Sequence, residues 1–163
     1  EPVTEDNRVA FRQLFSSVFT DFYLFSRLLR GDGAEVLVDE VDEWLATLGM
    51  EHKVRHADGR LSDIRFSQGQ RKRLALLMAV MEERDCLLLD EWAADQDPQF
   101  RQFFYHDLLP RLQAQGKTII AITHDDHYFD RADRLLKMDA GELAELDDQS
   151  ARHSVHTLRE AGV

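Results

Sequence analysis

The sequence predicts an α/β fold in which helices alternate with buried strands. Two short apolar runs carry this prediction: Cys86-Leu87-Leu88-Leu89, which precedes Asp90, and the run from Thr118 to Thr123. Continuous apolar runs of this length are typical of strands that are buried on both faces. Helix-like patterns stand before, between and after them, and this alternation indicates an α/β sheet. The 163 residues suit one domain with a real core.

The N-terminal half gives weaker signals than the C-terminal half. Residues 9–29 are aromatic-rich, with strand-like and then irregular patterning, and Gly31-Asp32-Gly33 breaks the chain. An amphipathic helix that ends at Gly49 is predicted next. Its apolar residues recur at helical spacing: Val41, Trp44, Leu45 and Leu48. Residues 50–65 are polar and predict a loop.

The C-terminal half begins with a helix predicted over Gln70 to Glu83. One face of this helix carries apolar residues: Leu74, Leu77, Met78 and Met81. Asp97-Pro98 is a good pair for starting the helix between the two apolar runs, since Asp caps and Pro suits the first turn. One side of that helix is apolar: Phe100, Phe103, Phe104, Leu108 and Leu112. Pro110 should kink or divide it. Residues 135–138 and 142–146, joined around Gly141, predict a hairpin.

Charge and hydropathy argue against nucleic-acid binding and against a membrane-spanning segment in this chain. The formal net charge of −11 argues against a nucleic-acid partner, because phosphate contacts need surplus Lys and Arg on the binding face. The basic cluster Arg71-Lys72-Arg73 is too short to change that. No apolar stretch approaches the roughly 18 residues that a transmembrane helix needs, so the chain itself is not predicted to span a bilayer.

Two carboxylates, Asp90 and Glu91, follow the first predicted strand directly. The carboxyl end of a buried strand is where α/β folds bind ligands. Asp90 could hold Mg²⁺ through its water shell, and Glu91 could activate a water as general base. The alternative is a strand that ends in two solvated acids.

A polar segment, Phe66 to Gln70, opens the helix upstream of these acids. Gly69 allows close approach of a ligand, and Ser67 can cap a helix whose free N–H groups and positive dipole suit a phosphate. An ordinary Ser-capped helix is the other interpretation. His124, after the second predicted strand, could bond a γ-phosphate and the attacking water, although a lone His there is more often a surface residue.

The order and spacing of these features resemble the nucleotide-binding domain of ATP-binding-cassette (ABC) proteins. Phe66 to Gln70 resembles the signature motif, with Phe in place of the usual Leu, and Cys86 to Asp90 resembles the Walker B strand. Glu91 then matches the catalytic glutamate, Asp97 the D-loop aspartate and His124 the switch histidine. The resemblance covers about residues 10 to 146 and implies a P-loop NTPase fold.

The resemblance also implies ligands and partners. ATP is the nucleotide, and Mg²⁺ binds near Asp90 through water. The signature residues would contact ATP held by a second nucleotide-binding domain: Ser67, Gln68, Gly69 and Gln70. The implied partners are that second domain, which belongs to an identical copy in a homodimer of the parent protein, and a membrane-spanning domain. The implied location is the cytoplasmic face of the bacterial inner membrane.

The wording of three segments points to one subfamily. The segments GQRKRLALL, LLLDEWAADQDPQFRQFFYHDLLP and THDDHYF resemble exporters of cyclic peptides and peptide siderophores in Gram-negative bacteria, such as pyoverdine- and syringomycin-type exporters. Trp92-Ala93-Ala94-Asp95 replaces the commoner Pro-Thr-Ser-Ala, as it does in those exporters. Aligning the segment FSSVFTDFYLF with the Q-loop puts Thr20 where the family usually has Gln.

A phosphate-binding loop of the type Gly-x₄-Gly-Lys-Ser/Thr is absent from the sequence. Gly116-Lys117-Thr118 lacks the first Gly, since Arg111 stands there, and it is predicted to leave a helix and enter a strand. We therefore expect a partial domain without Walker A, the C-terminal part of a longer exporter. Its parts are expected at about 1–30 (Q-loop region), 31–84 (helical subdomain with the signature), 85–146 (Walker B, D-loop and histidine core) and 147–163 (polar tail).

Two other functions remain open from the sequence. One is the lobe of a soluble ABC-type ATPase, which the acidic charge and the Trp-Ala-Ala-Asp wording disfavour. The other is a non-catalytic module that docks on an intact ABC domain, which the missing Walker A favours for the isolated chain. Asp90, Glu91 and His124 favour ATP hydrolysis in the complete protein.

Overall fold

The structure is a computed structural model that describes residues 2–146, and it divides the chain into two compact units, Glu1–Thr123 and His124–Val163. The polar tail predicted for 147–163 lies outside the described residues. The α/β class predicted from the sequence is confirmed, because a parallel sheet is flanked in the chain by helices. Within residues 2–146, no helix is both long and apolar enough to cross a membrane.

The first half of the larger unit contains five short elements. They are α1 (Arg8–Arg12), β1 (Phe15–Val18), α2 (Val38–Thr47), β2 (His56–Ala57) and β3 (Arg60–Leu61). The helix predicted before Gly49 is confirmed as α2. Helix α1 was not predicted, and none of its residues is buried, so hydrophobic periodicity gave no sign of it.

The loop predicted over residues 50–65 contains a small antiparallel hairpin, β2–β3, and the prediction is wrong there. Asp58 and Gly59 form its turn, with φ of 51° and 65°. Asp-Gly with positive φ at both positions is the favoured two-residue hairpin turn. The strands are too short for an alternating pattern to reveal them.

The second half of the larger unit alternates helix and strand. In chain order it contains α3 (Gln68–Met81), β4 (Cys86–Asp90), a 3₁₀ turn (Trp92–Asp95), α4 (Pro98–Phe103), a π-helical turn (Phe104–Leu108), α5 (Leu109–Ala114) and β5 (Thr118–Ile122). The predicted division of the long helix near Pro110 is confirmed. The π turn lies just before the proline, whose ring cannot donate an N–H and crowds the preceding turn.

Three parallel strands form the sheet in the order β1-β4-β5, so β4 is central. Leu87 and Leu89 on β4 are buried, while Cys86 and Leu88 on its other face are only partly covered. The prediction that β4 is buried on both faces is therefore correct for one face.

The prediction that β5 is a buried strand is wrong. Its residues are exposed except Ile119, and Ile120 and Ile122 are 45% and 50% exposed. The physical reason is its place at the edge of the sheet. Within residues 2–123, β5 pairs with β4 on one side, and nothing pairs with its other edge.

Helix α3 is buried on more faces than predicted. Besides the expected Leu74, Leu77 and Met81, its buried residues include Leu76, Ala79 and Val80, and Lys72 is buried too. The start of this helix and the segment after β4 are therefore held against each other, which matters for the site below.

The second unit is described over residues 124–146. It contains a 3₁₀ turn at Asp126–Arg131 and an antiparallel hairpin of β6 (Leu135–Asp139) and β7 (Glu142–Leu146), which confirms the hairpin predicted around Gly141. Arg134 donates two hydrogen bonds to the Glu145 carboxylate, at 2.8 and 2.9 Å. These bonds hold the pKa of Glu145 below its usual range.

Candidate functional site

The carboxyl end of the central strand brings two predicted site residues together. Asp90 is the last residue of β4, and Thr20 follows β1, the neighbouring strand. The Thr20 hydroxyl Oγ1 donates to Asp90 Oδ2 at 3.1 Å. The predicted Q-loop residue and the predicted Mg²⁺ residue thus place a hydroxyl and a carboxylate oxygen side by side at the carboxyl end of the parallel strands.

Glu91 takes an unusual backbone conformation directly after β4. Its φ is 49° and its ψ 32°, in the left-handed region, which costs a non-glycine residue about 1–2 kcal/mol. Hydrogen bonds to its N–H and its carbonyl hold it there, among them one from the Ala94 N–H to the Glu91 carbonyl at 3.3 Å. The Glu91 N–H donates to the Ile122 carbonyl at 3.0 Å, and the Glu91 carbonyl accepts from the Lys72 ammonium at 2.6 Å. The hydrogen bonding between β4 and β5 therefore continues to the Glu91 N–H, and the chain turns away from the sheet at this residue, the predicted base.

Lys72 connects helix α3 to this turn. Its side chain is 1% exposed, and its ammonium also pairs with Asp95 Oδ2 at 2.7 Å. The turn also donates a hydrogen bond back to α3: the Trp92 indole N–H donates to the Lys72 backbone carbonyl at 2.8 Å. Trp92 is itself buried and stacks on Phe104, with ring centroids 4.4 Å apart.

The start of α3 is a capping box. The Ser67 hydroxyl accepts from the Gln70 N–H, and the Gln70 side chain accepts from the Ser67 N–H, both at 3.4 Å. This confirms Ser67 as the predicted cap. The N–H groups of Gln68 and Gly69, in the first turn, have no acceptor within a helix, and such groups suit an anion.

Gly69 allows this helix start to touch the segment after β4. A Cβ at position 69 would lie 2.6 Å from the Asp95 carbonyl oxygen, so only glycine fits at the observed separation. The Gln96 side-chain amide donates to the Gly69 carbonyl at 3.1 Å. The signature segment and residues 95–97 therefore form one continuous surface.

Arg73 completes the contact between the two segments. Its guanidinium donates to Gln96 Oε1 at 2.9 Å and to Asp97 Oδ2 at 2.8 Å, and it lies 3.5 Å from the Phe100 ring centroid. Asp97 is the observed N-cap of α4, with Pro98 in the first turn, as predicted. The Phe100 N–H that Asp97 accepts, and then the nearby Arg73 charge, hold the pKa of Asp97 below its usual range.

An open cleft of about 480 Å³ lies over this surface. Its walls are Lys53, Ser67–Gln70, Arg73 and Asp95–Asp97. The cleft therefore joins the predicted signature residues and the predicted D-loop aspartate around one space, with capped-helix N–H groups and cations among its walls.

His124 is the first residue of the second unit. Its backbone carbonyl accepts from the Asp126 N–H at 3.0 Å. The described residues contain no group of three or more His, Cys, Asp and Glu side chains that could hold a metal ion. The acids and histidines after β5 thus form no metal centre of their own.

The Gly116-Lys117-Thr118 segment has the context expected from the sequence. It leaves α5 and enters β5, and the Lys117 ammonium donates to the Arg84 carbonyl at 2.8 Å. A phosphate loop instead leaves a strand and opens a helix. This tripeptide is not such a loop.

Sequence reasoning did not single out Lys72, Arg73 or Gln96. A signal for Lys72 was present, because it stands four residues before Leu76 on a helix whose sides are largely apolar. A charged residue at such a position is rarely buried without a partner. Its partners lie 19 and 23 residues later in the chain, where helical spacing gives no information.

Similar folds are found among ABC ATPase structures. The solved structure of cbiO1 from Clostridium perfringens, part of the ABC transporter complex cbiONQ, matches with a TM-score of 0.67 and 24% identity, covering 96% of this chain and 66% of that one. A bacterial Atm1-family ABC exporter with ATP bound matches with a TM-score of 0.70 and 21% identity, covering 94% of this chain and 28% of that one. At these identities the likeness shows the fold, that of an ABC ATPase domain.

The sequence gives the family. Residues 1–94 match the profile described as ABC transporter, and the chain belongs to this family, as the motifs predicted. It is 52% identical over 141 residues to the ATP-binding protein SyrD of Pseudomonas syringae pv. syringae, covering 85% of this chain and 25% of that protein.

More distant relatives belong to other transport systems. The lipoprotein-releasing system ATP-binding protein LolD of Hahella chejuensis is 28% identical over 76% of this chain and 51% of its own length. The macrolide export ATP-binding/permease protein MacB of Burkholderia lata is 33% identical over 74% of this chain and 16% of its own length. The chain thus spans between about a sixth and a half of these curated relatives.

Proposed function

We propose that this chain is the signature and Walker B part of the ATPase domain of an ABC exporter. In the complete protein it hydrolyses ATP and so powers export of a cyclic peptide or peptide siderophore. The observation that carries the proposal is the cleft shared by Ser67–Gln70 and Asp95–Asp97, in a chain whose central strand ends in Asp90. The 52% identity to SyrD supports the exporter subfamily.

The proposed roles follow the positions of the side chains. Ser67, Gln68, Gly69 and Gln70 contact the phosphates of ATP that a second domain holds, through the N–H groups at the start of α3. Asp97 lines the same cleft, and in the proposed assembly it contacts the second domain. Glu91 accepts a proton from water, the water oxygen attacks the γ-phosphorus, and the bond from that phosphorus to the bridging oxygen of ADP breaks. His124 bonds the γ-phosphate.

Mg²⁺ fits the oxygen donors at the end of β4. This ion takes one or two carboxylates, keeps several waters and completes its shell with substrate phosphates. Asp90 and the adjacent Thr20 hydroxyl supply such a site without a cluster of protein ligands. When bound, Mg²⁺ supplies positive charge against the phosphates. Asp90 would hold the ion through water, with its carboxylate oriented by the Thr20 hydroxyl.

The proposed partners are a second nucleotide-binding domain, a copy of the same one in a homodimer, and a membrane-spanning domain. The protein then works at the cytoplasmic face of the bacterial inner membrane. The parts of the domain are proposed as predicted: the Q-loop region to about residue 30, the helical subdomain to 84, and the core to 146. The relatives with export or permease in their names support this setting.

A second function is a non-catalytic module that docks on an intact ABC domain. One observation favours it: the 163 residues contain no Gly-x₄-Gly-Lys-Ser/Thr sequence. In that case the signature cleft would still receive a partner's nucleotide, but Glu91 would have no nucleotide of its own to act on.

Reading the coding sequence upstream of Glu1 separates the two functions. The exporter requires a phosphate loop and hydrophobic spans in the same reading frame. The full-length product, purified in detergent and reconstituted, should hydrolyse Mg-ATP, and replacing the phosphate-loop Lys by Ala should abolish turnover. A reading frame without that loop, or a full-length product without ATPase activity, contradicts the proposal and favours the docking module.

A further inference from the structure

The Lys72 ammonium is the most deeply buried charged group of the described site. Its side chain is 1% exposed, and it lies 2.6 Å from the Glu91 carbonyl oxygen and 2.7 Å from Asp95 Oδ2. Removing an ammonium from water is costly unless hydrogen bonds and an opposite charge compensate. Here one partner is the backbone of the residue proposed as general base.

The Glu91 backbone needs such support. Its left-handed φ of 49° is unfavourable for a residue with a Cβ. Its N–H donates to the Ile122 carbonyl on β5, and its carbonyl accepts from the Lys72 ammonium on α3 at 2.6 Å and from the Ala94 N–H at the longer distance of 3.3 Å. The positions of the backbone atoms N, Cα and C set the direction of the Cα–Cβ bond. The bonds to the N–H and the carbonyl therefore orient the first bond of the Glu91 side chain.

We propose that Lys72 is a positioning residue for ATP hydrolysis. Its ammonium holds the Glu91 backbone in the left-handed turn, and Asp95 holds the ammonium. The inference rests on the proposed function, in which Glu91 is the base. It adds that the base is aligned by the helix that carries the signature, so that Ser67 and Glu91 are oriented by one element.

The positioning role is separable from general folding. The segment after β4 has other attachments to α3 that do not use the Lys72 side chain: the Trp92 indole bonds the Lys72 backbone carbonyl at 2.8 Å, and Gln96 bonds the Gly69 carbonyl at 3.1 Å. Trp92 also stacks on Phe104. Losing the ammonium should therefore remove the shorter hydrogen bond to the Glu91 carbonyl, leaving the 3.3 Å bond from the Ala94 N–H, while the segment stays packed.

The test compares Lys72→Met with Lys117→Met in the full-length protein. Methionine keeps the length and removes the donor. Lys117 is a matched control, because its ammonium also bonds a backbone carbonyl, that of Arg84, at 2.8 Å, at the opposite end of β5. Lys72→Met should lower kcat about 10- to 100-fold with KM for ATP changed less than about threefold, since misalignment acts on the chemical step. Lys117→Met should leave kcat within about twofold.

Two further variants keep the test decisive. Asp95→Asn removes the charge opposite the Lys72 ammonium but keeps the shape and an oxygen that can still accept from it, at a side chain that is 43% exposed, and the melting temperature of the variant checks its fold. It should lower kcat at least about threefold at unchanged KM. In a Glu91→Gln background, Lys72→Met should cause little further loss in single-turnover hydrolysis, because both changes remove the same aligned base.

The outcomes separate the two levels of inference. If the wild type has no ATPase activity, the proposed function fails, and if Glu91→Gln keeps that activity, the assignment of Glu91 as base fails and the positioning role fails with it. If Glu91→Gln abolishes activity while Lys72→Met stays within about twofold of wild type, only the positioning role is wrong. A multiplicative loss in the double variant likewise overturns it, since that result indicates a structural effect. Should Lys72→Met not fold, an unchanged kcat in Asp95→Asn contradicts the role on its own.

Discussion

At the scale of single residues, the site depends on a few side chains whose positions the backbone fixes. Glu91 is the clearest case, because its backbone is strained and bonded at both its N–H and its carbonyl. Because the backbone of such a residue is held on both sides, its side chain starts from a defined position and direction. Substitutions that keep the shape of Glu91 should therefore report on chemistry and not on folding.

Glu91→Gln in the full-length protein should abolish ATP turnover and spare ATP binding. The amide keeps the shape but cannot accept a proton, and loss of a general base typically costs about 100- to 10,000-fold. Steady-state ATPase rates and nucleotide binding measure the two effects. Glu83→Gln is a matched control, since Glu83 also has a positive φ, of 54°, but pairs with Arg30. Near-normal hydrolysis in Glu91→Gln would leave Asp90 and His124 to carry the chemistry.

His124→Ala should lower turnover in the same way, by removing a contact to the γ-phosphate. The expected loss is at least about tenfold in kcat. Ala at His52, whose side chain is 91% exposed, is the control. A variant His124→Ala with wild-type kcat would show that this position is an ordinary surface histidine.

Ser67→Arg should block closure of two domains over ATP, because a long side chain would fill the cleft where the partner's phosphate lies. The measurement is ATP-dependent association of the nucleotide-binding domains in a Glu91→Gln background, by cross-linking. Ser62→Arg is the control, as Ser62 is exposed and does not line the cleft. Association equal to that of the control would remove Ser67 from the proposed interface.

These residues differ in how far the sequence predicted them. Asp90 and Glu91 follow an apolar run, and Ser67 precedes a helix, so their local order carried the information. Lys72 and Arg73 acquire their importance from partners 19 to 24 residues away, which local order does not encode. The contact of Thr20 with Asp90, 70 residues apart, exists because β1 and β4 are neighbouring parallel strands.

At the scale of secondary-structure elements, the longer strands of the C-terminal half were predicted, the two-residue strands β2 and β3 were missed, and the burial of β5 was predicted wrongly. Apolar runs of the right length identified β4 and β5 and the hairpin β6–β7. Whether a strand is covered depends on which elements pack beside it, and an apolar run is the same for a central strand and an open edge. That is why β5 was predicted as buried and is exposed.

The open edge of β5 should make the isolated 163-residue chain associate. An exposed edge offers unpaired backbone groups, and here it also carries exposed isoleucines. We expect concentration-dependent oligomers in sedimentation velocity and no cooperative melt of a monomer. Ile122→Lys should reduce association, because charge on an edge strand opposes pairing. Val38→Lys, at an exposed valine of α2, is the control. A monomeric, cooperative melt at high concentration would contradict this expectation.

At the scale of the whole molecule, the described residues combine the cleft that we propose receives a nucleotide with no phosphate-binding loop. The cleft lies beside the start of α3, and the carboxylates lie at the end of β4. Under the proposed function, the chain therefore carries groups that act on a nucleotide whose phosphates are held by other parts of the complete protein.

The isolated chain should bind Mg-ATP weakly or not at all. Helix N-terminal N–H groups and nearby cations contribute a modest attraction, of about 0.3–1 kcal/mol at an exposed site, which is far from micromolar affinity. Isothermal titration of the chain with Mg-ATP measures this directly, and the full-length protein is the positive control. Micromolar affinity of the isolated chain would mean that another segment of it cradles the phosphates.

The contact between Gly69 and the Asp95 carbonyl has a consequence for cooperativity. With no space for even a Cβ between them, the start of α3 and residues 95–97 cannot approach each other further, and the hydrogen bond from Gln96 to the Gly69 carbonyl opposes their separation, so we expect them to move together. If a nucleotide on the partner domain favours one arrangement of this joint surface, that arrangement must in turn raise affinity for the nucleotide by the same factor, because coupling free energies are reciprocal. We therefore expect one coupling free energy between nucleotide binding and the arrangement of this surface, whether it is measured by a substitution at the start of α3 or by one in residues 95–97.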